Sequence, residues 1–432
     1  MSEYNKPTNE AEFKQNFKQK KALMNKTEAH YESSRCLFCY DAPCIVACPT
    51  SIDIPLFIKQ IQTGNVEGAA KTIYDANWMG NSCGIVCPTG VLCEGACVYN
   101  HQDVAPLQIG RLQNYATKTT IEKGKHLYSP GVANGKKVAV IGGGPAGLSC
   151  ACELRVLGYE VDVFEAKSTP AGLNLHGVAP YKISNEEVMA EVNYLQAQLG
   201  FNIKCNSPIN SKEDLSALES NYDAIFIGIG LGVTAYRNIP GEDKNGVIGA
   251  VEFIEGLRSN KDRTSVGERV VVLGGGNTAM DAASESARMG AKDVTLAYRS
   301  SKDKMGAYSF EYELAVSAGV KGCFGALPLE ILGNGSVTGV RFIRENGEEF
   351  DIACDMVIKA TGQAKCGTFF NEIDGLELDQ HSRIKVNEET FQTTNPLYFA
   401  GGDAVNGGAE VVNAAQHGKA AAKGIDVWLK NK

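Results

Sequence analysis

Eight of the 14 cysteines lie between Cys36 and Cys97, and their spacing is the first sign of chemistry. The first block reads Cys36-x2-Cys39-x4-Cys44-x3-Cys48-Pro49, and the second reads Cys83-x3-Cys87-Pro88, then Cys93-x3-Cys97. Short gaps that end in Cys-Pro supply several thiolates from one turn and are typical of iron–sulfur clusters. Zinc is the alternative, although its four-cysteine sites usually pair two short-gapped knuckles per ion. The spacing favours clusters and leaves zinc open.

A strand–glycine-turn–helix unit follows at Gly142-x-Gly144-x-x-Gly147, after a predicted strand at 138–141. The glycines permit a tight turn and let backbone amides approach a pyrophosphate at the helix N-terminus. Glu165 ends the next predicted strand, where a carboxylate can take ribose hydroxyls. A packing turn would explain the glycines alone, but strand, helix and acid together predict a dinucleotide.

A signature near the C-terminus indicates that this dinucleotide is FAD. In LYFAGGDAV, Gly402 and Asp403 follow a predicted strand, where the acid can hold the ribityl chain. A helix from about Glu410 would point its positive end at the flavin and stabilise the anionic reduced ring. A helix N-cap is the alternative role for Asp403.

The other glycine unit, Gly274-x-Gly276-x-x-Ala279, predicts a site for a pyridine nucleotide. Arg299 stands after its next strand, where NAD-specific sites place a carboxylate. A guanidinium there suits the 2′-phosphate of NADP, so NADPH is favoured over NADH. A solvated basic loop, or an arginine stacked on adenine, is the alternative.

Length and composition limit the class of protein that can position these residues. The 432 residues suffice for two or three domains, and a formal net charge of −8 argues against nucleic-acid binding. No stretch approaches the roughly 20 apolar residues of a membrane span, and the polar N-terminus lacks signal-peptide features. The sequence therefore predicts a cytoplasmic protein whose six scattered cysteines are small buried residues.

Together the motifs resemble a family of flavin/iron–sulfur electron-input subunits. Its nearest match is the N-terminal half of dihydropyrimidine dehydrogenase, with the separate bacterial subunit of that enzyme, and the glutamate synthase small subunit is more distant. The resemblance covers nearly all of residues 30–430 and is strongest in CLFCYDAPCIVACPTSIDIPLFI, GNVEGAAKTIYDAN and CGIVCPTGVLCEGAC. The sequence motif DAPC…ACPT resembles the pyrimidine-reducing branch of this family.

The resemblance implies two [4Fe-4S] clusters in an N-terminal helical domain. The implied ligands of one cluster are Cys36, Cys39, Cys44 and Cys97. Those of the other are Cys48, Cys87, Cys93 and Gln113, which matches a glutamine of the pyrimidine enzymes. Cys83 would then be a non-ligand, which spacing alone does not decide, and a helix-surface position is the alternative for Gln113.

One segment departs from the family. Where many members read GGLLxxGIPxFRLP, this chain reads AGLNLHGVAPYKIS, so that Ala171 replaces the first glycine and Lys182 the arginine. The residues that differ are expected to lie near the flavin ring. Gly172, which this chain shares with the family, stays a candidate contact to the flavin.

The predicted fold is α/β, with an α-helical iron–sulfur domain at 1–129 followed by a glutathione-reductase-like pair of Rossmann domains. The FAD domain is expected in two parts, 130–245 and 366–432, with the NAD(P) domain, 246–365, between them in sequence. The resemblance implies that NAD(P)H reduces FAD and that electrons leave through both clusters. They would pass to an FMN- and iron–sulfur-carrying partner subunit that reduces uracil and thymine. Since cofactors supply this chemistry, no side chain is predicted as a catalytic acid or base.

Other functions remain as alternatives. A glutamate synthase small subunit would deliver the same electrons to an amidotransferase partner. A stand-alone disulfide reductase needs a redox-active cysteine pair beside the flavin, and the first FAD helix offers only Cys150-x-Cys152. A non-catalytic module that binds zinc and nucleotide is the remaining class.

Overall fold

The computed structural model describes residues 4–19, 21–259 and 265–432. Its helices are α1 (Glu10–Asn16), α2 (Lys26–Ser34), α3 (Pro43–Val46), α4 (Ile54–Gln62), α5 (Val66–Ala76), α6 (Gly80–Val86), α7 (Ile109–Glu122), α8 (Pro145–Val156), α9 (Leu173–His176), α10 (Asn185–Leu199), α11 (Lys212–Asn221), α12 (Ala250–Ser259), α13 (Asn277–Arg288), α14 (Ser309–Ser317), α15 (Gly367–Phe370), α16 (Asp403–Asn406) and α17 (Val411–Lys430). Its strands are β1 (Lys137–Ile141), β2 (Glu160–Phe164), β3 (Asn202–Lys204), β4 (Ala224–Ile227), β5 (Val247–Gly249), β6 (Arg269–Leu273), β7 (Asp293–Tyr298), β8 (Lys321–Phe324), β9 (Leu327–Leu332), β10 (Gly339–Ile343), β11 (Glu349–Ala353), β12 (Met356–Lys359) and β13 (Tyr398–Ala400).

The chain divides into two compact units, each built from segments distant in sequence. The cysteine-bearing unit comprises Lys21–Leu175, Lys182–Leu231 and Lys365–Lys432. The second unit comprises Met1–Lys20, His176–Tyr181 and Gly232–Ala364. The cysteine blocks and the first glycine motif therefore belong to one compact unit.

Short helices form the first part of the cysteine-bearing unit. In α4 the apolar residues Ile54, Phe57, Ile58 and Ile61 recur at helical spacing and are buried in one core with residues of α5 and α7. Asp53 accepts from the amide of Leu56 and thus caps the N-terminus of α4. This core supports the turns that carry the cysteines.

A five-stranded sheet of order β13-β4-β1-β2-β3, parallel throughout, forms the rest of this unit. The central strand β1 is apolar and buried over 138–141, as expected for a sheet covered on both faces. Helix α17 lies so close to α8 that a Cβ on Gly418 would be 2.0 Å from the carbonyl oxygen of Ala146. The first glycine turn is therefore held between the sheet and the C-terminal helix.

The second unit contains another parallel five-stranded sheet, of order β5-β12-β6-β7-β8, and an antiparallel three-stranded sheet of order β11-β10-β9. Phe13 and Phe17, whose rings stack at 4.3 Å, belong to its core together with Met280 and Leu296. The predicted class, a helical region followed by two parallel-sheet α/β regions, is confirmed. No helix in the described ranges has both the length and the apolar character needed to cross a membrane.

Candidate functional site

Four of the predicted cluster ligands share one cavity beside the start of α4. The cavity has a volume of about 30 Å³, and its cysteines are Cys36, Cys39, Cys44 and Cys97. Burial raises the pKa of Cys44 to about 12, and repulsion from the other three thiols adds to the rise. A partly buried set of thiols that repel one another when ionised fits a cationic iron–sulfur core.

These thiols are not grouped as they would be around one ion. Within the described ranges, no three His, Cys, Asp or Glu side chains are placed to hold a single metal ion. A four-iron cube is wider than one ion, so its thiolates need only surround a cavity. All four cysteines line the same cavity.

The other predicted cysteine ligands also lie near one another. Burial raises the pKa of the Cys93 thiol, and Glu94, Cys87 and Cys48 add to the rise. Cys87 directly follows α6, and the nearby thiol of Cys83, which is buried one turn earlier, together with burial raises the pKa of Cys87. The structure thus groups Cys48, Cys87 and Cys93 and places Cys83 beside them, while the ligand roles stay predictions.

Gln113 is only 6% exposed, so it is not the helix-surface residue of the alternative reading. Its Nε2 donates to the carbonyl oxygen of Gly80, with 2.6 Å between the two atoms. This bond uses the amide nitrogen and leaves Oε1, the atom an iron ion would prefer, for a further contact. The side chain is therefore oriented, and its role as a ligand stays a prediction.

The first glycine turn has the geometry that a pyrophosphate needs. Gly142 has φ +99°, and a Cβ on Gly147 would be 1.9 Å from the carbonyl oxygen of Gly142, so neither position accepts a side chain. Gly144 precedes α8 as its N-cap, and a Cβ there would be 3.8 Å from the Cα of Gly172. Glu165 follows β2, and its Oε2 accepts from the amide of Gly143 at 2.9 Å. The turn, the helix end and the acid are thus together, as a dinucleotide site requires.

The departing segment lies directly against this turn. The amide of Ala171 donates to the carbonyl oxygen of Gly143 at 2.7 Å, and a Cβ on Gly172 would be 2.9 Å from the Cα of Gly144. Asn174, two residues later, has a buried Oδ1 with no hydrogen-bond partner among the described residues. Such an orphaned acceptor next to the glycine turn fits a site that a flavin completes.

The C-terminal signature lies at the start of α16 and α17. Asp403 begins α16 after Gly402, and its Oδ1 accepts from the amide of Ala409 at 3.1 Å. Burial raises its pKa, although this bond and Lys365 partly offset the rise. The predicted helix begins at Val411, with Glu410 as its N-cap. Asp403 is half-buried, and a Cβ on the preceding Gly402 would be 3.1 Å from the Cβ of Ala146 at the start of α8, so Asp403 fits the predicted contact to the flavin.

The second glycine turn is built in the same way within its own unit. Gly274 has φ +147°, and a Cβ there would be 2.4 Å from the carbonyl oxygen of Ala360. Gly276 is the N-cap of α13, and Ala279 is fully buried in the first turn of that helix. Arg299 follows β7 and is exposed. The elements of a pyridine-nucleotide site are present, and the choice of nucleotide stays a prediction.

Two residues of the cysteine-bearing unit, Glu191 and Asn174, were not predicted as site residues. Glu191 of α10 is buried against the start of α6, and Asn174 donates from Nδ2 to the Ser82 hydroxyl at 2.8 Å. Glu191 is one of three acids in NEEVMAEVNYLQAQL, and only its burial distinguishes it. No sequence pattern pointed to this network.

Comparison with known proteins shows where the chain belongs. Residues 136–418 match the model of the pyridine nucleotide-disulphide oxidoreductases. The chain belongs to that family. Residues 13–125 match the model described as dihydropyrimidine dehydrogenase domain II, 4Fe-4S cluster. It is therefore an NAD(P)H-dependent oxidoreductase, and its cofactors are FAD, [4Fe-4S] and a pyridine nucleotide.

Two curated relatives are equally similar. The glutamate synthase [NADPH] small chain of Escherichia coli (strain K12) is 35% identical over 435 residues, which cover 93% of this chain and 92% of that protein. The NAD-dependent dihydropyrimidine dehydrogenase subunit PreT of the same organism is 35% identical over 399 residues, covering 92% and 94%. The predicted resemblance is confirmed, but the glutamate synthase branch is as close as the pyrimidine branch.

A solved structure shows the same fold. FprA of Mycobacterium tuberculosis, in complex with NADPH, has a TM-score of 0.57 at 18% identity and covers 68% of this chain and 85% of its own. The family name includes disulphide, yet Cys150 and Cys152 are both fully buried in α8. They are placed as packing residues and not as a redox pair facing a substrate.

Proposed function

We propose that this chain is the electron-input subunit of a larger reductase. A bound FAD would supply the two-electron chemistry of hydride uptake from NAD(P)H, and bound iron–sulfur clusters would carry the electrons onward singly. The residues that would hold FAD are Gly142, Gly144, Gly147, Glu165, Gly172, Gly402 and Asp403. Those for the pyridine nucleotide are Gly274, Gly276, Ala279 and Arg299.

The observation that carries this proposal is that both cysteine groups and the first glycine turn belong to one compact unit. Side chains tie the two parts together inside it. Trp78, which is 2% exposed, donates from Nε1 to Oε2 of Glu153 in α8 at 2.8 Å. Buried polar contacts of this kind fix one geometry, as electron transfer between cofactors requires.

The proposed partner is an FMN- and iron–sulfur-carrying subunit that reduces pyrimidines. Relatives that are named as subunits support a hetero-oligomer. The sequence motif DAPC…ACPT supports a partner from the pyrimidine-reducing branch. Glutamate synthase is the second candidate, because its small chain is equally identical over a similar share of this chain.

Purification of the chain with its co-purifying partner tests this proposal. The isolated chain should reduce artificial dyes with NAD(P)H and leave uracil unchanged, whereas the pair should convert uracil to dihydrouracil. Uracil turnover by the isolated chain would contradict the division into subunits. Glutamate formation from 2-oxoglutarate and glutamine by the pair would establish the second candidate instead.

A further inference from the structure

Glu191 is a buried carboxylate that accepts four hydrogen bonds. Its oxygens accept from the amide of Asn81 at 2.6 Å, the amide of Ser82 at 3.0 Å, the Ser82 hydroxyl at 2.6 Å and the Tyr74 hydroxyl at 3.2 Å. The side chain is 1% exposed, and burial raises its pKa to about 6. A carboxylate in such a place is retained only where its acceptors are fully used.

Three of the four donors to Glu191 belong to the first turn of α6, whose opposite end leads to Cys87. The carbonyl oxygen of Gly80 accepts from Nε2 of Gln113. The next residue, Asn81, accepts through Oδ1 from Nδ2 of Asn114 at 2.9 Å and from the Thr117 hydroxyl at 3.0 Å. By fixing this turn, the carboxylate orients both Gln113 and the helix that precedes Cys87.

The same network reaches the flavin side of the unit. The Ser82 hydroxyl donates to Glu191 and accepts from Nδ2 of Asn174 at 2.8 Å. Asn174 stands two residues after Gly172, in the segment packed on the first glycine turn. One serine therefore joins the loop beside the flavin site to the helix beside the second cysteine group.

We propose that Glu191 is a positioning residue for electron transfer between the flavin and the second cluster. It acts through α6 and Ser82 and touches neither cofactor. The inference rests on the proposed electron-input function and adds to it the element that fixes the distance between donor and acceptor. No further oxidant or reductant is needed, because each hydride brings two electrons and each of the two iron–sulfur clusters accepts one electron at a time.

Glu191→Gln in the full, anaerobically reconstituted chain tests the inference. Glutamine has nearly the same size as glutamate, but its amide NH2 is a donor and would face a donor of Ser82. The first turn of α6 therefore loses charge-assisted hydrogen bonds. Glu186→Gln is the matched control, because it removes an equal charge from an exposed position of the same helix. Iron and flavin contents are measured first for every variant.

Two readouts separate positioning from general stability. Hydrogen exchange at the amides of Asn81 and Ser82 should become about ten- to a hundredfold faster, since charge-assisted hydrogen bonds are lost. Stopped-flow absorbance should show cluster reduction slowed relative to flavin reduction, with an altered electron paramagnetic resonance signal from one cluster. The Glu186→Gln control should match the unmutated chain in both.

The outcomes distinguish this inference from the proposed function. If NAD(P)H reduces the flavin but no cluster in the unmutated chain, the electron-input function itself fails. If the unmutated clusters are reduced, and Glu191→Gln leaves the relative rate and the cluster signal unchanged, the positioning role is wrong. Should Glu191→Gln not retain iron, Ser82→Ala decides, because it removes only the hydroxyl link: slower cluster reduction supports the role, and an unchanged rate refutes it.

Discussion

Ala171→Gly is expected to make the flavin-binding part of the chain more stable. Ala171 has φ +85°, a left-handed conformation that costs a residue other than glycine about 1–2 kcal/mol. The residue is 1% exposed, and its amide is bound to Gly143, so the turn cannot relax without loosening the first glycine motif. The family's glycine at this position relieves that strain.

The opposing effect is the greater freedom of glycine in the unfolded chain, which costs about 0.4–1 kcal/mol. Relief of strain is the larger quantity, so the net gain should be about 0.5–1 kcal/mol. A gain of 1 kcal/mol would raise the melting temperature of a unit of this size by about 2–4 °C. The sign of the change, more than its size, carries the test.

Flavin release during heating, followed by the rise in flavin fluorescence, reports on this part of the molecule. Ala151→Gly serves as the control, because it places glycine in the interior of α8 and should cost about 1 kcal/mol. The two substitutions should therefore shift the release temperature in opposite directions. A lower release temperature for Ala171→Gly would mean that the packing of its methyl group outweighs the backbone strain.

Three further predictions test other parts of the molecule. NADPH should have a kcat/KM about tenfold above that of NADH, because one charge-assisted hydrogen bond from Arg299 to the 2′-phosphate, weakened by salt screening, is worth about a factor of ten in affinity. Arg299→Glu should reverse this order in steady-state dye reduction. Cys39→Ser should lower the iron content of anaerobically purified protein, whereas Cys83→Ser should leave it unchanged. Lys359→Ala should lower the free energy of unfolding in urea by about 3–5 kcal/mol, because it leaves the Glu242 carboxylate buried without its cation at 2.6 Å.

A specific result would contradict each of these predictions. An NADH preference in the unmutated protein would mean that Arg299 stacks on adenine and does not bind phosphate. Equal iron loss from both cysteine variants would make Cys83 a ligand in place of Gln113. For the buried pair, Lys292→Ala is the control, since its contact with Glu268 is solvent-exposed and its loss should leave the free energy of unfolding nearly unchanged. A similar cost for both lysines would contradict the argument from burial.

The motifs predicted the parts of the site whose geometry is local. A glycine turn between a strand and a helix is specified within about ten residues, so Gly142 and Gly274 could be placed from spacing alone. Cys36, Cys39 and Cys44 also lie within one short segment. In each case the residues that define the motif are neighbours in the sequence.

The parts that could not be predicted depend on contacts between distant segments. Glu191 meets Ser82 across 109 residues of sequence, and in its own helix it resembles any surface acid. The left-handed conformation of Ala171 is likewise imposed by the turn it packs on and not by its own preference. Identity with relatives did not separate the two candidate partners either, because both branches share the same electron-input fold.

The central claim is that this chain carries electrons from a pyridine nucleotide through a flavin to iron–sulfur clusters. Anaerobic titration of the isolated, iron-loaded chain with NADPH or NADH, followed by electron paramagnetic resonance, tests it most directly. We expect bleaching of the flavin together with the growth of reduced [4Fe-4S] signals, from protein that contains about eight irons per chain. Flavin reduction with no cluster signal, or stoichiometric zinc in place of iron, would contradict the account.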